Sequence, residues 1–196
     1  MPDTSIQIAG FCGSLRKDSY NKKLLLIAQE LLEADGCTFQ LLPTEMPPYN
    51  ADEDPPLAQS RPQAVEQCRQ QLQEADGLLI VSPEYNYSIP GHLKNALDWA
   101  SRGSDSPLRK KPVAVIGAST SITGTARMQL HLLSFFLYMD MKPVYQPEVL
   151  IADAANKFNE QGQLTNEKSF QLLRKKLAGL QQLILEEKTT KETPYK

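Results

Sequence analysis

The run Ile6-Gln7-Ile8-Ala9-Gly10-Phe11-Cys12, followed at once by Gly13-Ser14-Leu15-Arg16-Lys17-Asp18-Ser19-Tyr20-Asn21, decides the fold. Its first part is almost continuously apolar, which suits a strand covered on both faces. Its second part is small, polar or cationic, and leads into Leu24, Ile27, Ala28 and Leu31, spaced to share one face of a helix. A buried strand, a polar turn and a helix make the first half of a βαβ unit.

Working outward, two more runs have the same character: Gly77-Leu78-Leu79-Ile80-Val81-Ser82 and Pro112-Val113-Ala114-Val115-Ile116-Gly117. Weaker strands are Thr38–Leu42 and Lys142–Tyr145, the latter extended by Val149–Ile151. Helical spacing fills the gaps: Val65, Cys68 and Leu72; Leu93, Ala96, Leu97 and Ala100; Leu130, Leu133 and Leu137. Phe170, Leu173, Leu177, Leu180 and Ile184 form a last stripe, read as one helix packing on a sheet. Strand and helix alternate about five times. This predicts an α/β fold: a doubly wound five-stranded parallel sheet, order 2-1-3-4-5, with helices on both faces and right-handed crossovers.

The chain has 196 residues and 21.9 kDa, which suits a single domain over 1–185 with a charged, flexible tail over 186–196. With 21 Lys+Arg against 23 Asp+Glu the net charge is −2, which speaks against a nonspecific grip on nucleic acid. Met1-Pro2-Asp3-Thr4 lacks the charged and apolar regions of a secretory signal, and no apolar run is long enough to insert in a membrane. Cys12, Cys37 and Cys68 show no metal spacing, and His92 and His131 alone make no metal site, so no metal is expected. The cysteines fit a reducing cytoplasm.

In open α/β sheets ligands bind beyond the carboxyl ends of the strands, so the strand-to-helix loops carry the function. In the first loop Gly13 permits a tight turn, Ser14, Ser19 and Asn21 offer donors, and Arg16 offers a fork suited to phosphate oxygens. The following helix adds free amides and the positive end of its dipole. Ser19 alone would serve as a helix cap; the four together exceed what a cap requires. The P-loop and dinucleotide patterns are missing, and Asp18 stands where a tyrosine phosphatase would place its arginine.

After the central strand comes Ser82-Pro83-Glu84-Tyr85-Asn86-Tyr87-Ser88-Ile89-Pro90-Gly91. Both unusual loops border the crevice where strand order reverses. A ligand with phosphate at one end and a flat polar ring at the other matches it, with Tyr85 and Tyr87 placed to cover the ring. A rigid turn with two packed tyrosines is the plainer reading of the second loop alone. The stretch Pro43–Pro62 holds six of the fourteen prolines and reads equally as a functional loop or a surface excursion.

Three segments together resemble the NADPH-dependent FMN reductase family, which includes bacterial quinone and chromate reductases. They are Gly13-Ser14-Leu15-Arg16-Lys17-x-Ser19-x-Asn21; Pro83-Glu84-Tyr85-Asn86-x-Ser88-x-Pro90-Gly91-x-Leu93-Lys94-Asn95-Ala96-x-Asp98-Trp99; and Gly117-Ala118-Ser119 with Gly124-Thr125-Ala126-Arg127. The likeness runs from about residue 5 to 185. It implies a flavodoxin-like fold with non-covalent FMN. By the same resemblance Ser14, Arg16, Ser19 and Asn21 hold the phosphate with Tyr20 nearby. Pro83, Glu84, Tyr85 and Asn86 line the isoalloxazine through their backbone, and Ser119 closes the far side. The chain departs from the family pattern at Thr120-Ser121, where relatives carry glycine, and at Leu132-Leu133, where many carry arginine after the histidine.

The resemblance further implies NADPH or NADH as donor and a quinone or similar small oxidant as acceptor, served in alternation. No side chain need act as acid or base, so none is assigned a catalytic role. Arg102 either attracts the NADPH phosphate or sits at a helix C-terminus, and Trp99 is expected in the core. A homodimer or homotetramer is expected, with the apolar helix Leu130–Tyr138 as its interface, against the alternative that this helix packs only on its own sheet. The rival function is a flavodoxin-type electron carrier that does not itself oxidise NAD(P)H. Such carriers are strongly acidic, and the net charge of −2 argues against it.

Overall fold

The computed structural model describes residues 5–192; the stretches 1–4 and 193–196, the latter part of the expected tail, lie outside the described residues. Strand β1 (Gln7–Cys12) lies between β2 (Thr38–Leu42) and β3 (Gly77–Val81), and β3 pairs with β4 (Pro112–Ala118), every pairing being parallel. Cys12 stands opposite Val81, and Val81 opposite Ile116, so the C-terminal ends of the three central strands are level.

The fifth position of the sheet is broken in two. Short β5 (Lys142–Pro143) pairs with Pro112 and Val113, and β6 (Val149–Ile151) pairs with Ile116 to Ala118. Pro143 and Pro147 carry no backbone N–H and cannot continue a ladder between them. The order is thus β2-β1-β3-β4-β5, with β6 continuing the edge beside β4.

Alternate residues of the strands feed two cores. Ile8, Leu79, Val81, Ala114 and Ile116 face α1 (Tyr20–Ala34) and α5 (Glu167–Glu192). Ala9, Phe11, Leu78, Ile80 and Val113 face α2 (Gln63–Glu74), α3 (Gly91–Ala100) and α4 (Ala126–Tyr138). Full burial of such side chains contributes about 1.5–3 kcal/mol each, the main drive for the layering. On α5, Leu173, Leu177, Leu180 and Ile184 are buried against the sheet as their spacing predicts.

Two boundaries differ from the sequence reading. Helix α5 runs on through the expected tail to Glu192, with Glu187 paired to Lys142 and Lys188 to Asp76 and the Ser5 carbonyl. On α4 the buried side chains are Met128, Leu132 and Phe136, whereas Leu130, Leu133 and Leu137 face outward. This helix is apolar nearly all round, so two stripes satisfy the helical period and spacing alone picks the wrong one.

The proline-rich stretch is strapped to α3. Trp99 is fully buried and donates its indole N–H to the Pro47 carbonyl at 2.8 Å. Asn95 accepts the Tyr49 N–H at 2.8 Å through Oδ1 and donates to the Pro47 carbonyl through Nδ2. Tyr49 sits edge-on to Trp99, with the Arg102 guanidinium 4.4 Å from its ring centre. Buried Arg69 donates to the carbonyls of Trp99, Ala100 and Arg102, satisfying acceptors that the end of α3 leaves open.

Candidate functional site

The level ends of β1, β3 and β4 meet at Ser82, which is fully buried. A Cβ on Gly13 would collide with Ser82 Oγ, and one on Gly117 with the Ser82 carbonyl oxygen. Glycine at these two positions lets the three strand ends close up, and the loops then splay outward around a shared crevice.

In the first loop, the Gly13 N–H donates to the Val81 carbonyl at 2.8 Å, after which regular pairing stops. Among the described residues, the backbone N–H groups from Ser14 to Asp18 find no protein acceptor, and Lys17-Asp18 form a turn that leads into the helix. Ser14 is nevertheless buried. A run of unpaired N–H donors at the start of a helix, with a buried hydroxyl beside it, is the chemistry of an anion cradle. Ser19 caps α1: its Oγ accepts the Asn21 N–H, and its own O–H remains free to donate. Arg16 is exposed on the loop. Tyr20 packs on Phe158 with ring centres 5.5 Å apart.

Asn21 has a structural role that the sequence reading does not assign. Its side chain is buried, Oδ1 accepts the Ala118 N–H at 2.9 Å, and Nδ2 donates to the Ala118 carbonyl at 2.8 Å. Oδ1 and one Nδ2 hydrogen of the amide are thus committed to the end of β4, which makes the side chain a positioning group and leaves its second Nδ2 hydrogen as the one it could offer a ligand.

In the second loop, Tyr85 and Ser88 exchange backbone hydrogen bonds at 3.1 and 2.9 Å. Between them Asn86 has φ 48° and Tyr87 φ 68°, the two-residue turn in which both central residues are left-handed. Pro83 is buried. The Glu84 side chain turns away from the loop: Oε2 accepts the N–H groups of Arg127 (2.9 Å) and Met128 (3.2 Å), capping α4, and Oε1 accepts from Arg127 Nη1 at 3.0 Å. Among the described residues, the N–H groups of Glu84, Asn86 and Tyr87 have no acceptor, leaving this loop to offer backbone donors to a ligand. Tyr85 and Tyr87 are both exposed at the crevice.

Ser119 follows β4. Its N–H donates to the Ile151 carbonyl, its carbonyl accepts from Ala154, and its hydroxyl accepts the Ser121 N–H at 3.1 Å. This loop is therefore held by the segment after β6. Sequence reasoning gave Arg127 and Ser88 no role beyond the motifs that contain them and read His131 as a surface or interface residue. The structure ties His131 Nδ1 to Ser88 Oγ at 3.0 Å and sets the Arg127 guanidinium 3.8 Å from the centre of the Tyr87 ring. The available signal was the position of Arg127, a cation in the first turn of a helix, where the dipole disfavours it.

Arg102 lies away from this arrangement, whereas Cys12 and His92 border its first loop. Arg102 sits past the far end of α3, about 15 Å of helix from the crevice end of that element in its own chain, with Nε donating to the Asp98 carbonyl. His92 is half-buried near Cys12; burial lowers its pKa, and Nε2 has no partner. Cys12 is half-buried with its thiol pKa raised, chiefly by desolvation.

Over residues 6–156 the sequence matches the NADPH-dependent FMN reductase family. The chain belongs to that family. Its flavin and NAD(P)H chemistry, and its standing as an oxidoreductase, follow from membership. An NAD(P)H-dependent FMN reductase of Pseudomonas aeruginosa is 43% identical over 177 residues, covering 90% of this chain and 94% of the relative. A 2-hydroxy-1,4-benzoquinone reductase of a Burkholderia species is 40% identical, covering 83% and 87%. A solved flavoenzyme NAD(P)H:acceptor oxidoreductase of Paracoccus denitrificans superposes with a TM-score of 0.82 at 34% identity, covering 92% of this FMN reductase homologue and 98% of that chain. No helix among the described residues of the reductase is long and apolar enough to cross a membrane.

Proposed function

We propose that this reductase uses FMN held in the crevice to carry reducing equivalents from NAD(P)H to a quinone. The observation that carries the reading is the loop from Ser14 to Asp18, a run of N–H donors unpaired among the described residues beside a buried serine, together with a second donor-rich loop at Glu84 to Tyr87. When bound, FMN supplies hydride acceptance and two-electron delivery. The chain supplies position and charge.

Ser14, Ser19 and Arg16, with the loop amides, bind the phosphate; Arg16 adds a charge-assisted fork. Tyr20 borders the cradle. Pro83, Glu84, Tyr85 and Asn86 seat the ring through their backbone, and Ser119 borders its far side. Asn21 keeps the first and third loops in register. Acceptance of quinones is supported by relatives bearing that name, among them a quinone reductase of Escherichia coli K12 that is 38% identical over 80% of this chain and 82% of its own length.

The exposed stripe on α4, with Leu137 84% and Leu130 59% exposed beside Tyr138, supports a second copy of the chain as partner. Light scattering reads this directly, and Leu137→Glu is expected to yield monomers. Free Cys12, Cys37 and Cys68 support a reducing, cytoplasmic setting.

The deciding experiment is an anaerobic titration of the FMN-loaded protein with NADPH and with NADH, followed by the visible flavin absorbance. Bleaching supports the reading. A bound flavin that neither nucleotide reduces points to an electron carrier, and failure to retain flavin removes the crevice assignment.

A further inference from the structure

Arg127 stands where helix electrostatics disfavour a cation, in the first turn of α4. Glu84 accepts the N–H groups of Arg127 and Met128, and one edge of the guanidinium pairs with that nearly buried carboxylate. Beside it, Tyr87 holds φ 68° at the turn position where glycine is usual, a conformation that is strained for a bulky residue. The Tyr87 ring is 64% exposed, so core packing does not account for it. Two local costs are thus accepted together, and their common result is a guanidinium laid 3.8 Å from the ring centre.

The guanidinium is also half-used. Nη1 donates to Glu84 Oε1 at 3.0 Å and Thr123 Oγ1 at 3.4 Å. Nε and Nη2 have no protein partner among the described residues, and the side chain is 38% exposed. One edge of the fork is fixed and the other is presented, pre-organised, between the β3–α3 and β4–α4 loops. That geometry suits an anionic oxygen on a planar ligand, and the neighbouring Tyr87 face suits the ring that bears it.

We propose that Arg127, positioned by Glu84 and Tyr87, selects the electron acceptor, drawing quinones that carry an ionised oxygen into the crevice in preference to neutral ones. The assignment rests on the reading that the crevice holds FMN and serves quinones. The same donors would also suit a nucleotide phosphate, and the test separates the two.

The test compares 2-hydroxy-1,4-naphthoquinone, ionised at neutral pH, with 1,4-naphthoquinone, on the FMN-loaded wild type, R127K and R127Q. The readouts are the ratio of kcat/KM for the two quinones, the KM for NADPH, and the Kd of the ionised quinone for the oxidised protein from its perturbation of the flavin spectrum. In R127Q the ratio is expected to fall about ten- to a hundredfold and the Kd to rise by a similar factor, the loss of a hydrogen bond to a charged group. R127K, a point charge without the fork, is expected to fall between. In the wild type, salt should depress kcat/KM for the ionised quinone far more than for the neutral one, a reading that needs no variant. Equal losses on both quinones, no salt difference, or a raised KM for NADPH with an unmoved ratio would each overturn the assignment. If wild-type protein reduces 1,4-naphthoquinone with NADPH and any of these appears, only the role of Arg127 falls. If it reduces neither quinone, the underlying function falls with it.

Discussion

The side chain of Asn21 exchanges two hydrogen bonds with the backbone of Ala118, at 2.9 and 2.8 Å, and so fastens the first turn of α1 to the end of β4. The two residues are 97 positions apart. Between them pass the loops after β2 and β3. The contact therefore fixes the spacing of the crevice walls, and it satisfies an N–H and a C=O that the strand end would otherwise leave buried and open.

Replacement of Asn21 by Leu removes both partners and keeps the volume. Leaving a buried polar group unsatisfied costs about 1–3 kcal/mol, so a loss of about 2–4 kcal/mol in unfolding free energy is expected for the pair. Urea denaturation of the flavin-free protein measures it. A loss under about 0.5 kcal/mol would show that the amide does not carry the joint.

Arg16→Ala gives the opposite pattern. Arg16 is exposed and its side chain makes no hydrogen bond or ion pair among the described residues, so flavin-free stability should stay within about 0.5 kcal/mol of wild type. FMN affinity should weaken by about 1.5–3 kcal/mol, the worth of a charge-assisted hydrogen bond. Fluorescence titration with FMN reads this, and unchanged affinity would remove Arg16 from the phosphate site.

These two residues mark how far the sequence could be read. Strands with near-continuous apolar runs, such as Leu78–Val81, were legible because burial on both faces removes alternation. That the first loop is an irregular, polar turn between a strand and a helix was legible because its small and polar residues follow one another directly in the sequence. The joint that Asn21 makes was not legible because its partner, Ala118, is a backbone group, and nothing in an alanine signals a hydrogen bond. The α4 stripe was misread because Met128, Leu132 and Phe136 compete with Leu130, Leu133 and Leu137 at the same period. Arg127 was passed over because its meaning lies in a contact with Glu84, 43 residues earlier. The proline-rich loop was ambiguous because its anchors, Asn95 and Trp99, lie in a helix that reads as ordinary core.

That loop yields a third prediction. The Tyr49 N–H is held by Asn95 Oδ1 at 2.8 Å, a side chain that also donates to the Pro47 carbonyl. In Asn95→Ala the amide of Tyr49 should lose protection against hydrogen exchange by about tenfold or more, with little change at Leu79 in the core of the sheet. The indole bond of Trp99 still ties Pro47, so the loop should loosen locally rather than detach. Exchange that slows or stays constant at Tyr49 would show that Asn95 does not hold the loop.

Lys176 supplies the pH dependence. It is buried, Nζ donates to the carbonyls of Val144 and Tyr145, and burial pushes its pKa down to about 8, with Glu148 opposing the shift. In the unfolded chain a lysine titrates near about 10.4. Below about pH 8 both states hold the proton, and the folded state bears the full cost of a buried charge. Between about 8 and about 10.4 the folded state releases the proton while the unfolded state keeps it, so stability rises with pH. The two carbonyl contacts favour the charged form and moderate the effect. From pH 7 to pH 10 wild type should therefore gain about 1–3 kcal/mol relative to Lys176→Met, in which this group cannot titrate. Denaturation of both proteins across that range measures the difference. A constant difference would mean that Lys176 keeps its proton with equal ease folded and unfolded, and that its burial between α5 and the broken sheet edge carries no electrostatic cost.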